Sequence, residues 1–514
     1  MKKIINKLLS KLPIIILFIF CGIMSFEMCF SPLAQGHGHG YDSAIFATVG
    51  NALNKGRVLY TEIVDNKGPL IYFIDALGLT INYDFGIFII EFIFLFIGAI
   101  FLYKTAKIIT KDKKWVSFFS TIFSMLLLFY TINGGNYTEE YAITFISIAT
   151  YFVTKFLYSD YKLKWYELII IGICFSATFL LRANLCAFFI SQIIVVSICL
   201  IKDKKIKILF RAMGLILLGI AICLLPFLIY LIKNGALSAC LDIVYFGVMD
   251  SFGEITLTNR LIKVFDLINL TNVSQAFTIC AIAFLYFLTK PKIEKETFKI
   301  LLIAFLGMLI NLYANSLTGG AAWAYTHYFI SFVPIIVVIV SWLFDNVYKN
   351  INMLKINTEF KNITTIILVF ILIIPTSIDL LKDSIQRANV TTPVASAMQQ
   401  YILDNTKEND TIQIINVDDT IYYPTNRIAT SKHIYFAGGF SEERKNKDAN
   451  ELANDLYEAE KPAKIIMLPA GDVNNLDFIN SLTDKETFIK FLEEKYVFDN
   501  EASTQFNCNV YLLA

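Results

Sequence analysis

Asp65-Asn66-Lys67-Gly68-Pro69-Leu70 closes a polar segment, residues 34–84, that begins with Tyr41-Asp42-Ser43 and directly follows the first apolar run. Gly-Pro forces a turn. Leu70-Ile71-Tyr72-Phe73 then returns the chain to apolar surroundings. Lys67 is thereby held where a polar loop meets an apolar run. Two acids and a lysine placed so early in so apolar a chain imply a membrane protein with a built external loop.

The surrounding composition agrees. Of 514 residues, 56% are hydrophobic, 15% aromatic and only 17% charged, and the mean hydropathy is +0.59. These values exclude an ordinary soluble domain and fit a polytopic helical membrane protein. A net charge of +1 gives no argument for nucleic acid, and no such partner is expected. The nine cysteines lie mostly inside apolar runs, without CxxC spacing, so neither a disulfide framework nor a zinc site is indicated.

Apolar runs long enough to cross a bilayer as helices recur near 13–33, 85–103, 115–133, 138–157, 166–182, 185–201, 209–232, 265–289, 300–316, 328–345 and 363–381, about eleven spans in all. The first, preceded by Lys2, Lys3, Lys7 and Lys11, lacks a small-x-small cleavage site and reads as an uncleaved helix. Lysine and arginine cluster in every second connection: Lys104 to Lys114, Lys155 to Lys164, Lys202 to Arg211, Lys290 to Lys299 and Lys349 to Lys361. By the positive-inside rule these connections and the N-terminus are cytoplasmic. The loop 34–84, the turns at 134–138 and 182–184, segments 233–264 and 317–327, and the region after 381 are then external. Residues 1–381 form the transmembrane domain. Residues 382–514 mix helix-like stretches (Val394–Thr406, Glu443–Glu460, Lys485–Tyr496) with strand-like ones (Thr411–Val417, Lys464–Leu468, Asn507–Leu513), which predicts an extracytoplasmic α/β domain.

Each candidate residue has a plain structural reading beside a functional one. Asp42 opens a helix over Ser43–Asn54 and reads as an N-cap or a base. Lys67 reads as a snorkelling side chain or as a cation for a lipid phosphate. In Gly134-Gly135-Asn136-Tyr137-Thr138-Glu139-Glu140, Asn136 with Glu139 fits a capping box. Capping needs one carboxylate, however, and the turn has two. Arg182, at the break Leu181-Arg182-Ala183-Asn184, reads as snorkelling, as gripping a phosphate or as paired with an acid. Glu27 and Glu91, inside the first two spans, are candidates for that pairing. In the aromatic stretch Trp323 to Phe329, His327 can hydrogen-bond a sugar or phosphate, where an interfacial aromatic belt is the plain alternative. His37 and His39 share a glycine-rich loop without defined ligand geometry, so no metal site is assigned.

The segments Asp42-Ser43-Ala44-Ile45-Phe46, Asp65-Asn66-Lys67-Gly68-Pro69-Leu70, Asn136-Tyr137-Thr138-Glu139-Glu140 and His327-Tyr328-Phe329, in this order and all external, resemble the C superfamily of glycosyltransferases (GT-C). The nearer resemblance is to its bacterial branch, related to protein O-mannosyltransferases and the lipid A aminoarabinose transferase. It covers roughly residues 1–345. It implies a polyprenyl-phosphate-sugar donor used outside the cell membrane. Asp42 matches the acid that activates the acceptor hydroxyl, and Lys67 matches the basic residue near the donor phosphate. Ser43 departs from the Asp-Glu pair of many members, and Asn66 stands where His or Glu is frequent. The second acid's role therefore falls to Asp65 or Glu139.

The expected function is inverting sugar transfer to an extracytoplasmic acceptor, which could be a surface polysaccharide, a glycolipid or a protein. Asp42 is the base, with Glu139 as a second catalytic acid. Lys67 and Arg182 face the donor phosphate. Asp65, Glu140, His327 and Tyr328 contact substrate, and no cofactor is required. A flippase for lipid-linked sugars and a non-enzymatic membrane assembly protein are the competing classes. The first needs a cavity open to both faces, whereas in the second Asp42 and Glu139 are merely caps.

Overall fold

The computed structural model describes residues 2–26, 28–32, 41–129, 131–132, 134–247, 256, 258–259, 262, 273–290, 292–316, 325–353, 397–436 and 442–514. Through the first 353 residues the longer elements are helical: α1 (Lys2–Phe26), α2 (Tyr41–Asn54), α3 (Pro69–Ile81), α4 (Gly86–Ile109), α5 (Lys114–Phe129) and α6 (Thr138–Tyr158). There follow α7 (Trp165–Leu181), α8 (Ala187–Lys202), α9 (Ile206–Lys233), α10 (Ser274–Thr289), α11 (Lys295–Ser316) and α12 (Val333–Met353). The chain is a polytopic helical membrane protein. Six described helical segments are long and apolar enough to cross a bilayer, namely Gly86–Ile109, Thr138–Tyr158, Ala183–Lys202, Ile206–Lys233, Lys295–Asn315 and Thr326–Ile351. Shorter apolar helices, Lys11–Phe26, Lys114–Leu128, Trp165–Leu181 and Ser274–Thr289, occupy four more of the expected runs. The run expected at 363–381 lies outside the described residues.

By contact density the chain forms two compact units. One comprises residues 1–34, 88–227 and 254–390. The other comprises residues 35–87, 228–253 and 391–514. Residues 35–87 thus group with the C-terminal domain, although more than 300 residues separate them in sequence.

In the first unit the lysine-rich connections meet one another. Lys111 pairs with Glu294, Lys113 with Asp345, and Lys205 with Asp160. Lys295 reaches Asp203 at 3.1 Å, and Lys349 reaches Asp345 at 2.7 Å. All five basic connections are joined by these pairs, so they share one end of the bundle, as the alternation of charge requires. Polar residues inside the helices are satisfied locally. Buried Ser120, Thr121 and Ser124 donate to the carbonyls of Val116, Ser117 and Ser120, because hydrocarbon offers no other partner. Helices α7 and α9 touch backbone to backbone: a Cβ on Gly172 would lie 2.0 Å from the Ile216 carbonyl oxygen.

In the second unit a five-stranded sheet runs in the order β2 (Ile428–Ala429), β1 (Thr411–Ile414), β3 (Ile465–Pro469), β5 (Cys508–Leu513), β4 (Tyr496–Phe498). The β2–β1–β3 pairs are parallel, and β5 is antiparallel to both neighbours. The sheet carries helices α13 (Ala397–Asn405), α14 (Glu442–Glu458), α15 (Lys485–Lys495) and α16 (Asn500–Phe506). Helix α14 buries Ala449, Leu452, Ala453 and Leu456, an i, i+3, i+4, i+7 face, against Ile466, Leu468, Phe478 and Phe488. Helices α2 and α3 pack onto each other, and a Cβ on Gly50 would meet the Asp75 and Ala76 backbone within 3.1 Å. The loop is tied to the α/β domain by Asn51 of α2 and by Lys55 just after it, which donate to the side chain and carbonyl of Asn426 at 2.9 and 2.8 Å. Tyr83 and Tyr423 stack with centroids 5.2 Å apart and exchange hydroxyl-to-carbonyl bonds.

Candidate active site

In the first unit, α6 begins after three consecutive residues with positive φ: Gly134 (102°), Gly135 (77°) and Asn136 (58°). Gly-Gly-Asn is the sequence that tolerates such a turn. Gly135 is required twice over, because a Cβ there would also stand 2.7 Å from Met28 and 2.9 Å from the Glu91 carboxylate. Glu91 uses that close approach to accept the Asn136 N–H. This corrects one expectation: Glu91 is engaged by the turn, and the carboxylate paired with Arg182 is Glu139, at 2.6 Å. Glu27 lies outside the described residues.

The two acids of the turn divide the work. Glu140 reaches back to the Tyr137 N–H at 3.1 Å and caps the helix, while Glu139 points to Arg182. The expected Asn136–Glu139 capping box is therefore replaced. Asn136 instead accepts the Tyr141 hydroxyl at 2.8 Å. Glu140, expected to touch substrate, is buried at the cap.

Arg182 occupies the break between α7 and α8 in an extended conformation, φ −164°. That break turns its side chain out of the helix path. One guanidinium nitrogen meets Glu139, and another donates to the Tyr328 hydroxyl at 3.1 Å. The guanidinium carbon lies 4.5 Å from the Tyr328 ring centroid, a stacking geometry that arginine favours. Thr138 donates to the other Glu139 oxygen at 2.9 Å. His327 stacks on Tyr137, centroids 4.3 Å apart and planes 6° from parallel. Glu139, Arg182, His327 and Tyr328 thus form one continuous cluster.

In the second unit, Asp42 sits in the first turn of α2, half-buried, and accepts no backbone N–H among the described residues. The cap reading does not hold for it. Asp65 is 3% exposed, and both its oxygens accept tyrosine hydroxyls, from Tyr72 at 2.7 Å and Tyr435 at 2.6 Å. Its expected contact with substrate is therefore taken up by protein groups. The backbone of Lys67 is held from both sides. Its N–H donates to the Tyr72 hydroxyl at 3.1 Å, and its carbonyl accepts the Tyr60 hydroxyl at 2.7 Å. Tyr60 itself has φ 69°, a conformation costly for a bulky residue and held by the turn around it. The Lys67 ammonium donates to Asn66 at 2.7 Å and lies 5.7 Å from the Phe46 ring centroid. Among the described residues it has no carboxylate partner.

Sequence reasoning missed Tyr60, Tyr72, Tyr137 and Tyr435. Tyr72 was findable, three residues beyond Pro69, whereas Tyr435 lies 370 residues from Asp65. His37 and His39 lie outside the described residues.

No curated protein matches the chain. Among solved structures it is similar to ArnT from Cupriavidus metallidurans bound to undecaprenyl phosphate. The TM-score is 0.53 at 10% identity, covering 97% of each chain. The apo form of ArnT gives 0.52 at 9% identity, with the same coverage. The likeness is one of fold. Residues 2–373 match the family described as the putative competence-induced protein Ccs4 N-terminal domain, and the chain belongs to that family.

Proposed function

We propose that the protein is a membrane glycosyltransferase that moves a sugar from a polyprenyl-phosphate donor to an acceptor outside the cytoplasm. The observation that carries this reading is Lys67: its backbone is locked by two tyrosines and, among the described residues, its ammonium meets no carboxylate. A lysine that merely decorated the loop would need no such clamp. A cation held ready at the end of a polar loop suits a phosphate leaving group. The fold shared with a protein solved with undecaprenyl phosphate adds support.

In the proposed step the acceptor hydroxyl oxygen bonds to the anomeric carbon while the bond from that carbon to the phosphate oxygen breaks. The proton passes to Asp42, and the electron pair leaves with the polyprenyl phosphate. Attack from the face opposite the phosphate inverts the anomeric centre. Lys67 offsets the charge that develops on the leaving oxygen. Within the first unit, Glu139 and Tyr328 fix the direction of the Arg182 guanidinium, and His327 beside Tyr328 supplies a hydrogen-bonding edge. Asp65 acts as a positioning residue for the Lys67 loop. The acceptor is a surface polysaccharide, a glycolipid or a protein, and the N-terminus is cytoplasmic.

The test is transfer from a polyprenyl-phosphate sugar by Asp42→Asn and Lys67→Ala variants at matched expression. Loss of one charge-stabilising contact at the reacting centre costs about 10²–10³ in rate, and each variant is expected in that range. Near-normal turnover in both would overturn the assignment.

A further inference from the structure

Outside the groups described above, His433, Asp448 and Glu451 present a ligand atom each, and all three atoms lie within 4.8 Å of one another. Asp448 and Glu451 are three residues apart on α14 and so share a face. His433 follows β2, on a strap held by the α/β core: buried Gln413 donates to the His433 carbonyl and accepts the Ser431 N–H, both at 3.0 Å. His433 Nε2 already stands 3.2 Å from a Glu451 oxygen. That is the spacing of two donors on one small cation, since ligands about 2.0–2.1 Å from zinc in a tetrahedron stand about 3.4 Å apart.

Asp448 is the second observation. It is half-buried, and among the described residues no hydrogen bond or ion pair reaches it. A carboxylate withheld from water without a donor is costly, and a cation between it and His433 would remove the cost. The geometry points to a divalent transition-metal site formed by His433, Asp448 and Glu451, of the type that suits zinc. An imidazole with two carboxylates disfavours magnesium and calcium, which prefer all-oxygen shells. Lys432 Nζ, 2.8 Å from the same Glu451 oxygen, occupies part of the site and competes with the cation.

The strap gives the site a consequence. Val64 N–H donates to the Lys432 carbonyl at 2.9 Å, and Tyr435, two residues beyond His433, holds Asp65. A cation that ties the strap to α14 therefore stiffens the support of the Asp65–Lys67 turn. Its role is positioning and enters no bond-making step. The site stands whether or not the transfer reaction proposed above is right.

The experiment is equilibrium dialysis of the full chain in detergent, stripped with chelator, against Zn2+, with Mg2+ and Ca2+ as comparisons. One Zn2+ per chain is expected, with Mg2+ and Ca2+ bound at least tenfold more weakly. Asp448→Asn removes no hydrogen bond among the described residues, so it should keep its fold while losing at least tenfold in Zn2+ affinity. Lys432→Gln should bind Zn2+ more tightly than wild type. Zn2+ should also raise the melting temperature of wild type but not of Asp448→Asn. No bound Zn2+, or affinity unchanged in Asp448→Asn, overturns the site.

Discussion

Removing the Tyr72 hydroxyl should destabilise the second unit by about 2–3 kcal/mol. That hydroxyl makes two bonds at once: it donates to Asp65 at 2.7 Å and accepts from the Lys67 N–H at 3.1 Å. Tyr72 is fully buried and Asp65 is 3% exposed, so water cannot replace the donor on the carboxylate. A hydrogen bond to a charged group contributes about 1.5–3 kcal/mol, and the half-buried Lys67 N–H adds roughly 0.5 kcal/mol. Tyr435→Phe removes the bond to the other Asp65 oxygen and should cost about 1.5–2 kcal/mol for that bond by the same figures. The assay is reversible unfolding of the full chain in mixed micelles for Tyr72→Phe, Asp65→Asn and the double variant. In the Asp65→Asn background the Tyr72→Phe cost should fall by at least about 1 kcal/mol. A single-variant cost under about 0.5 kcal/mol, or one unchanged by Asp65→Asn, would refute the clamp.

Gly135→Ala places a methyl group against Met28 and the Glu91 carboxylate at φ 77°. It should cost about 2–3 kcal/mol, seen as a lowered melting temperature and lost activity. Gly172→Ala brings a Cβ to 2.0 Å from the Ile216 carbonyl oxygen, so α7 and α9 must separate. About 1–3 kcal/mol is expected and is readable in the same unfolding assay. Asp499 caps α16 by accepting the Ala502 N–H at 2.9 Å and also accepts the Tyr401 hydroxyl at 2.7 Å. Those two bonds hold its carboxyl below the usual 3.8. A depressed acid contributes stability above its unfolded value and loses it as the pH falls through the folded one. Asp499→Ala should therefore cost about 1 kcal/mol at neutral pH. Its deficit relative to wild type should narrow below about pH 4, when melting curves are taken across pH 2–8.

The helical runs were legible because hydrocarbon admits few other structures, and the lysine-rich connections were legible because charge alternates with sidedness. Both are local properties of the sequence. The α/β domain was legible where its elements are long: α14, α15, β1, β3 and β5 all fall on expected stretches. The two-residue β2 and three-residue β4 are too short to carry a periodicity. Helix α3 was read only as a return to apolar surroundings, although Gly68-Pro69 marks its start. The pairings inside the site were legible only as alternatives. Nothing in the order of residues says whether Glu91 or Glu139 faces Arg182. That choice is made by the left-handed Gly134–Asn136 turn, which brings a backbone N–H to Glu91 and frees Glu139. The Tyr435–Asp65 bond joins residues 370 positions apart within the second unit, and no sequence signal announces it.

The central claim is that this chain breaks a polyprenyl-phosphate–sugar bond. The most direct measurement uses sealed proteoliposomes holding the purified protein, a radiolabelled polyprenyl-phosphate sugar and an envelope extract as acceptor, and it follows the free polyprenyl phosphate formed. Wild type should release polyprenyl phosphate as label appears on the extract, and Lys67→Ala should do so at least 100-fold more slowly. Intact donor that merely crosses the bilayer, with no polyprenyl phosphate formed, would contradict the account and favour a transporter.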